Sequence, residues 1–313
     1  MGTLTSATLE GMWAGLPVPW TIQDEIDEAA LRENVRRCCR VGVHGVYTHG
    51  TTGEFYAQTP EEWSRVVTAT IEEARPFGTP VQIGCTSLWT REAIRRAATA
   101  QRAGASAIQL AFPFWLALTD DQAVRFLREV TDSIPGVPLV IYNTQRSKKP
   151  LTAELLKRII DADIPVIGCK GAQSRDDLKT LGQVAPQIRF FVREADLADW
   201  WECGARGSYS SLVYACPQLM LRYYAACKQG DPEAREIQKS LKRMDAEFTL
   251  PRANRGLYDT AFDRTFATAT GFLTGSLLIS RAPYDSATEK DAQEFRGWCA
   301  KSWPEFMTAP RNR

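Results

Sequence analysis

The sequence predicts an α/β fold: a single (β/α)8 barrel of parallel strands with a helical C-terminal extension. Eight short apolar runs, amphipathic stretches between them, and a repeat of roughly 25–30 residues predict this class. The chain has 313 residues, which exceeds the roughly 250 of one barrel and leaves room for an extension. We therefore expect the barrel over residues 1–225 and the extension, packed on it, over residues 226–313.

The apolar runs predict strands because they are short and separated by helix-forming segments. In chain order, these predicted strands are Met12–Pro19, Gly45–His49, Val81–Cys85, Ala107–Phe112, Leu139–Tyr142, Val166–Lys170, Arg189–Arg193 and Gly207–Leu212. An open doubly wound sheet is the competing architecture. It usually carries a GxGxxG phosphate loop after its first strand, and this sequence has none.

The stretches between the strands have helical periodicity and helix start signals. Thr59-Pro60-Glu61-Glu62 places a cap, a first-turn proline and two acids at one helix start. The predicted helices are Glu28–Val41, Pro60–Arg75, Arg91–Ala103, Asp120–Ser133, Ala153–Ala162, Ser174–Ala185 and Leu197–Cys203. After Leu212 the pattern is helical, over Gln218–Lys228, Asp231–Ala246, Gly256–Thr270 and Glu289–Trp303.

Composition excludes several classes of function. Lys and Arg number 38 against 37 Asp and Glu, so nothing favours nucleic acid or an anionic membrane as a partner. No apolar run approaches a membrane span, and residues 1–10 lack the pattern of a secretory signal. We therefore expect a cytoplasmic protein that acts on small molecules.

The cysteine and histidine pattern gives no metal site. The eight cysteines include no CxxC pair, and the chain has only two histidines, so we expect no zinc site. An even cysteine count also allows disulfides. Reduced core thiols are the better interpretation, because the chain is long and several cysteines lie in apolar runs.

Lys170 is the first candidate for chemistry. It closes the apolar run Val166-Ile167-Gly168-Cys169, and strand ends of this kind carry the active sites of (β/α)8 barrels. Partial desolvation favours a neutral amine, which attacks ketones and forms imines. The alternative is a lysine whose side chain reaches past the barrel rim into solvent.

Two further strand ends carry polar groups. Gly50-Thr51-Thr52-Gly53 offers backbone N–H groups and two hydroxyls that suit a carboxylate, although it also fits an ordinary strand-to-helix turn. Tyr142-Asn143 ends the strand before that of Lys170, so the phenol could transfer protons at an imine. The alternative is a core tyrosine. His49, before the glycine-threonine turn, is either an acid or base or a hydrogen-bonded barrel residue.

Together, Gly50-Thr51-Thr52-Gly53-Glu54, Tyr142-Asn143 and Lys170 resemble the motifs of the dihydrodipicolinate synthase / N-acetylneuraminate lyase family. The resemblance implies a barrel, usually a homotetramer, without metal or organic cofactor. It implies that Lys170 forms a Schiff base with a 2-oxo acid and that Tyr142 relays protons. It also implies that Thr51 and Thr52 hold the carboxylate of that acid.

Several positions depart from the dihydrodipicolinate synthases themselves. Pro113-Phe114-Trp115 stands where they carry paired tyrosines, and Thr144–Lys149 lacks their proline and arginine pattern. Arg193-Glu194-Ala195-Asp196 replaces their small Gly-Asp-Asp run. The Pro-Phe-Trp run resembles the Pro-Met-Trp of the hydratase-aldolase branch. Phe114 and Trp115 could form an aromatic-binding wall or pack against a neighbouring subunit.

Three functions remain open at this point. The first is an aldolase or hydratase-aldolase that cleaves or forms a larger 2-oxo acid from pyruvate and an aldehyde. The second is a dehydratase or deaminase of a 2-oxo sugar acid, or a dihydrodipicolinate synthase-like condensation. The third is a non-catalytic ligand-binding barrel. In an aldolase or hydratase-aldolase, Arg193 could bind a second carboxylate of the substrate through paired hydrogen bonds. Alternatively, Arg193 could form an ion pair with Glu194 or Asp196.

Overall fold

A computed structural model describes residues 2–303 of the chain. Its eight strands pair in chain order as a closed barrel, and the strand pairs are parallel. The strands are β1 (Gly11–Gly15), β2 (Gly45–Thr48), β3 (Val81–Gly84), β4 (Ala107–Leu110), β5 (Leu139–Tyr142), β6 (Val166–Lys170), β7 (Arg189–Phe191) and β8 (Ala205–Ser210). The predicted (β/α)8 class is therefore confirmed.

Helices follow the strands and continue beyond the last one. They are α1 (Glu28–Arg40), α2 (Pro60–Ala74), α3 (Thr90–Ala103), α4 (Asp120–Asp132), α5 (Ala153–Asp161), α6 (Arg175–Val184), α7 (Leu197–Trp200), α8 (Pro217–Gln229), α9 (Glu233–Met244), α10 (Leu250–Ala253), α11 (Asp259–Thr270) and α12 (Glu289–Ser302). No helix within residues 2–303 is long and apolar enough to cross a membrane.

Several predicted elements have other bounds in the structure; β8, for example, is Ala205–Ser210 rather than Gly207–Leu212. β1 ends at Gly15 rather than Pro19, because prolines 17 and 19 cannot donate to a strand ladder. β7 ends at Phe191 rather than Arg193, which instead precedes a 3-10 turn. The predicted helix Leu197–Cys203 is one α-helical turn, α7, followed by a 3-10 turn that Gly204 ends in left-handed geometry.

The chain divides into two compact units. The first contains the residues up to Gly11 and Pro80–Ser208. Within it, β3 to β7 form consecutive parallel pairs, and the helices from α3 to α6 contact one another in sequence. Helix α4 begins with a capping box between Thr119 and Gln122, which satisfies N–H groups that a helix start leaves unpaired.

The second unit contains Met12–Thr79 and the described chain from Tyr209 onward. Helices α1 and α2 pack together, as do α11 and α12. The C-terminal segment is held on α1 by the Asn34 amide, which donates to the Thr274 carbonyl at 3.0 Å and accepts from its N–H at 2.7 Å. Residues beyond α8 are therefore part of the folded core of this unit.

All eight cysteines are buried free thiols. In β6, burial raises the pKa of Cys169 to about 12, against a smaller opposing effect of a backbone hydrogen bond at Asn143. A thiol with this pKa is protonated at neutral pH and is a poor nucleophile. Within β6, Lys170 therefore remains the candidate nucleophile.

Candidate active site

Lys170 lies half-buried at the carboxyl end of β6, after the buried residues Gly168 and Cys169. The next residue, Gly171, has φ +94°, and a Cβ there would lie 2.5 Å from the Asn143 carbonyl oxygen. Only glycine accepts both this left-handed backbone and this close approach. The chain therefore turns sharply just beyond Lys170.

Tyr142 is the direct neighbour of Lys170 across the β5–β6 pair. The Lys170 Nζ lies 4.2 Å from the centroid of the Tyr142 ring. The Asn143 N–H donates to the Lys170 carbonyl at 2.8 Å and holds the two strand ends in register. The structure thus brings together the two residues expected to form the imine and to transfer protons.

Asn143, another predicted site residue, adjoins this pair. Its Oδ1 accepts a hydrogen bond from the Leu151 N–H at 3.1 Å, which braces the loop after β5. Its Nδ2 is buried and donates to no group that the structure describes. A buried donor without a partner is unfavourable unless a ligand or water fills its place, so this amide is a candidate substrate contact.

Phe114 and Trp115 follow β4. Phe114 is half-buried, and Trp115 is 74% exposed. From the loop after β5, the Lys148 Nζ donates to the Trp115 carbonyl at 3.0 Å and lies 5.8 Å from its ring centroid. Lys149 of the same loop forms an ion pair with Asp120 at the start of α4. The loops after β4 and β5 are therefore tied together.

Arg193 forms an ion pair with Asp196, with its Nε 2.9 Å from the Asp196 Oδ2. The arginine side chain is 70% exposed. This is one of the two pairings considered from the sequence as the alternative to substrate binding.

The Gly50-Thr51-Thr52-Gly53-Glu54 turn follows β2. A Cβ at Gly50 would lie 2.5 Å from the Tyr47 ring, and one at Gly53 would lie 2.8 Å from the His49 nitrogen. The Glu54 N–H donates to the Thr51 carbonyl at 3.0 Å and closes the turn. Both glycines are thus required by close packing, and the turn has a defined shape.

Residues from the C-terminal segment hold this turn. The Thr52 hydroxyl donates to Asp263 of α11. The fully buried Glu54 accepts from the Trp20 Nε1 at 2.5 Å and from the Arg264 guanidinium of α11. The sequence analysis missed both residues of α11. Nothing in the sequence pairs them with a turn more than 200 residues earlier.

His49 is buried, 1% exposed, directly before the turn. Its ring lies against Trp63 with a centroid distance of 4.7 Å, and its Nε2 is 3.0 Å from the Gln58 Oε1. The Gln58 Nε2 in turn donates to the Gly53 carbonyl at 2.6 Å. These contacts favour the role of a hydrogen-bonded barrel residue that braces the turn.

No group of three or more His, Cys, Asp or Glu side chains within residues 2–303 is arranged to hold a metal ion. The polar groups at the strand ends described above are an amine, a phenol, an amide and hydroxyls. These groups suit imine formation, proton transfer and carboxylate binding.

Comparison with known proteins agrees with this chemistry. The sequence profile of the Dihydrodipicolinate synthetase family matches residues 8–270. A 4-hydroxy-tetrahydrodipicolinate synthase of Methylobacterium radiotolerans is 29% identical over 294 residues, 93% of this chain and 95% of that protein. An N-acetylneuraminate lyase of Escherichia coli is 30% identical over 181 residues, 57% of this chain and 59% of that protein.

Solved structures show the same fold. YagE, a prophage protein of the dihydrodipicolinic acid synthase family from E. coli K12, crystallised with pyruvate, superposes with a TM-score of 0.84 at 20% identity. That match covers 94% of this chain and 98% of the other. The dihydrodipicolinate synthase of Aquifex aeolicus gives 0.84 at 19% identity, with the same coverage of both chains.

The family match covers most of the chain, and the structure has the family's barrel. The chain therefore belongs to the dihydrodipicolinate synthetase family, and it is a lyase of the class I, Schiff-base-forming aldolase type.

Proposed function

We propose that the protein cleaves or forms a larger 2-oxo acid from pyruvate and an aldehyde, through an imine on Lys170. The observation that carries the proposal is the Lys170–Tyr142 pair, with the amine 4.2 Å from the phenol ring at neighbouring strand ends. An amine beside a proton-transfer group is what imine formation and carbon–carbon cleavage both require.

The chemistry follows from these two groups. The neutral Lys170 amine attacks the C2 carbonyl of the 2-oxo acid, and loss of water gives an iminium ion. When the C3–C4 bond breaks, its electron pair moves toward the iminium and forms an enamine. The C4 hydroxyl loses its proton and becomes the aldehyde carbonyl. Tyr142 transfers protons during these steps. The enamine takes up a proton at C3 and becomes an iminium ion again, and water then hydrolyses this ion to pyruvate and the free lysine.

The far end of the substrate is proposed to be apolar or aromatic, as in a hydratase-aldolase. Phe114 and the exposed Trp115 present aromatic surface after β4, which suits an aryl group more than a polyhydroxy chain. The adjacent Lys148 and the exposed guanidinium of Arg193 favour a second carboxylate on that portion. A hydratase-aldolase would add water across a C3–C4 double bond before the cleavage.

Three further features are proposed on the family resemblance. They are a homotetrameric assembly, a cytoplasmic location and activity without a metal or organic cofactor. The strand-end groups described above supply the nucleophile and the proton transfer themselves, which supports the last of these. Activity that disappears in EDTA and returns with one divalent ion would contradict the cofactor proposal.

A substrate panel tests the function. Purified protein is offered arylidene-pyruvates, aliphatic 4-hydroxy-2-oxo acids and 2-oxo sugar acids, and pyruvate release is measured together with the second product. The proposal expects pyruvate and an aryl aldehyde from the aromatic substrates. Preferential turnover of sugar acids, or loss of water or ammonia without pyruvate release, would show a dehydratase or deaminase instead.

A further inference from the structure

Strand β4 carries a buried amide, although parallel barrel strands are usually apolar. Gln109 is 0% exposed, and within residues 2–303 its Oε1 and Nε2 form no hydrogen bond to another group. Parallel strands are covered on both faces and therefore consist mostly of apolar residues. Because a buried amide without a partner is unfavourable, Gln109 indicates a place for a polar ligand or a water molecule.

Gln109 faces the same side of the sheet as the strand-end amine and phenol. It is paired with Val140 of β5, which is paired with Gly168 of β6. Two residues further along these strands lie Tyr142 and Lys170, which form the next pair on that face. Side chains two residues apart in a strand point to the same face. The buried amide and the catalytic pair therefore share one face of the barrel sheet.

Strand geometry places the Gln109 amide within reach of the Tyr142 phenol through one water. Neighbouring parallel strands lie roughly 4.8 Å apart, and two residues along a strand span roughly 6.6 Å. The Cα atoms of Gln109 and Tyr142 are therefore roughly 8 Å apart, a spacing that long and aromatic side chains bridge. A buried water makes two to four hydrogen bonds, and the amide and the phenol together supply groups for them.

We propose that Gln109 holds the water that hydrolyses the Lys170 imine at the end of turnover. The inference rests on the proposed function, because it takes the imine to form on Lys170. The Gln109 Oε1 accepts one O–H of this water and orients the water oxygen. Gln109 contacts neither the substrate nor the lysine in this role, so it is a positioning residue.

The hydrolysis uses the proton that Tyr142 has just lost. Tyr142 gives its proton to C3 of the enamine, which restores the iminium ion. The water oxygen then forms a bond to C2, and the second proton of the water passes to the Tyr142 oxygen. The resulting carbinolamine transfers its hydroxyl proton to the lysine nitrogen, the C2–N bond breaks, and pyruvate leaves the neutral amine.

A residue that positions this water acts on rates and not on equilibrium. Imine formation releases a water and hydrolysis consumes one, and both directions pass through the same transition state. Loss of the positioning group therefore slows both directions by the same factor. The pyruvate concentration that gives half-maximal imine stays the same, whereas a residue that binds pyruvate would change it.

The test is an exchange experiment on the imine with Gln109→Met, which removes the amide at nearly constant volume. Protein saturated with carbon-13-labelled pyruvate is mixed at low temperature with a large excess of unlabelled pyruvate. Borohydride is added at timed intervals, and intact mass separates the labelled from the unlabelled adduct. Gln109→Met should slow the replacement of the label by roughly threefold or more, as expected for one lost hydrogen bond between uncharged groups.

Gln82→Met is the matched control. Gln82 is also 0% exposed, and it pairs with Ala107, two residues before Gln109, so it lies on the same face but further from Lys170. This variant should exchange the label at close to the wild-type rate. Urea unfolding should show Gln109→Met to be at least as stable as the wild type, because a buried amide without a partner has been removed. Gln109→Leu is a second variant with the same expectation if Gln109→Met does not fold.

A folded Gln109 variant that exchanges the label at the wild-type rate would overturn the inference, as would a Gln82→Met variant that is slowed equally. A half-saturating pyruvate concentration that changes as much as the exchange rate would also overturn it, because the amide would then act in pyruvate binding. All three results leave the proposed function intact, since the wild type still forms the adduct. A wild type that takes up no adduct at any pyruvate concentration would instead refute the proposed function itself.

Discussion

Removing Arg264 should destabilise the protein strongly. Arg264 and Glu54 form an ion pair in which both side chains are 0% exposed. The arginine also donates to the Val18 carbonyl at 2.9 Å and to the Leu277 carbonyl at 3.1 Å. Arg264→Met keeps much of the side-chain length but leaves the Glu54 carboxylate buried without its counter-charge. Breaking one side of such a pair destabilises by roughly 3–5 kcal/mol.

For Arg264→Met, we expect a loss in the free energy of unfolding near the lower end of that range. Glu54 would still accept from the Trp20 Nε1 and the Arg281 N–H, so part of its hydrogen bonding survives. We therefore expect a loss of about 3 kcal/mol. Combining Arg264→Met with Glu54→Gln removes both charges. The double variant should be more stable than the sum of the single effects predicts, by about 1–3 kcal/mol.

Urea unfolding followed by tryptophan fluorescence, at one protein concentration, measures these differences. Lys157→Met is the matched control, because the Lys157–Asp161 pair is 66% and 59% exposed. Exposed helical pairs of this kind contribute only about 0.3–0.5 kcal/mol. If Arg264→Met costs no more than this control, or if the double variant equals the sum of the singles, the buried-pair reasoning is refuted.

Three further predictions concern catalysis, the far end of the substrate and acid stability. Tyr142→Phe should lower kcat by roughly 10²–10⁴, because a proton-transfer group is lost; a near-normal kcat in steady-state assays would refute its role. Arg193→Ala should lower kcat/KM by roughly ten- to a hundredfold for a substrate with a second carboxylate, but much less for imine formation with pyruvate. Equal losses in kcat/KM and in imine formation would indicate that Arg193 only stabilises the barrel rim through its ion pair with Asp196. Burial raises the pKa of Asp291, but hydrogen bonds from Thr288 and Arg255 outweigh it and hold the pKa at about 2. Because the folded-state pKa is lowered, this stabilisation is present above about pH 4 and is lost as pH falls toward 2. Unfolding of Asp291→Asn should show a weaker acid dependence in that window, and an unchanged slope would contradict the assignment.

Local sequence signals were sufficient to predict the barrel. The bounds of β5 and β6 match the prediction because each apolar run is closed by a polar residue, Tyr142 or Lys170. The cap predicted at Thr59 is present in α2, where it forms a capping box with Glu62. Local signals did not predict that one helix continues beyond its predicted end. The predicted helix over 231–246 runs on instead through a π-helical turn, Asp245–Thr249, into α10. Pro251 lies in the first turn of α10, directly after the π-helical turn.

The candidate site could also be predicted only in part from the sequence. Lys170 and Tyr142 could be placed together because neighbouring parallel strands end at the same edge. The partners of the Gly50–Glu54 turn could not, since Asp263 and Arg264 lie 211 and 210 residues from Thr52 and Glu54. Tertiary packing of α11, rather than any local pattern, selects those partners. The hydrogen bond between Thr52 and Asp263 is therefore visible only in the structure.

Borohydride trapping of the imine shows which lysine forms the Schiff base. Wild-type protein is treated with pyruvate and borohydride, and the intact mass is compared with that of Lys170→Ala and of Lys179→Ala, whose lysine is exposed on α6. We predict one reduced-pyruvate group on the wild type and on Lys179→Ala, and none on Lys170→Ala. Uptake of the same single group by Lys170→Ala would contradict the assignment of Lys170 as the Schiff-base residue.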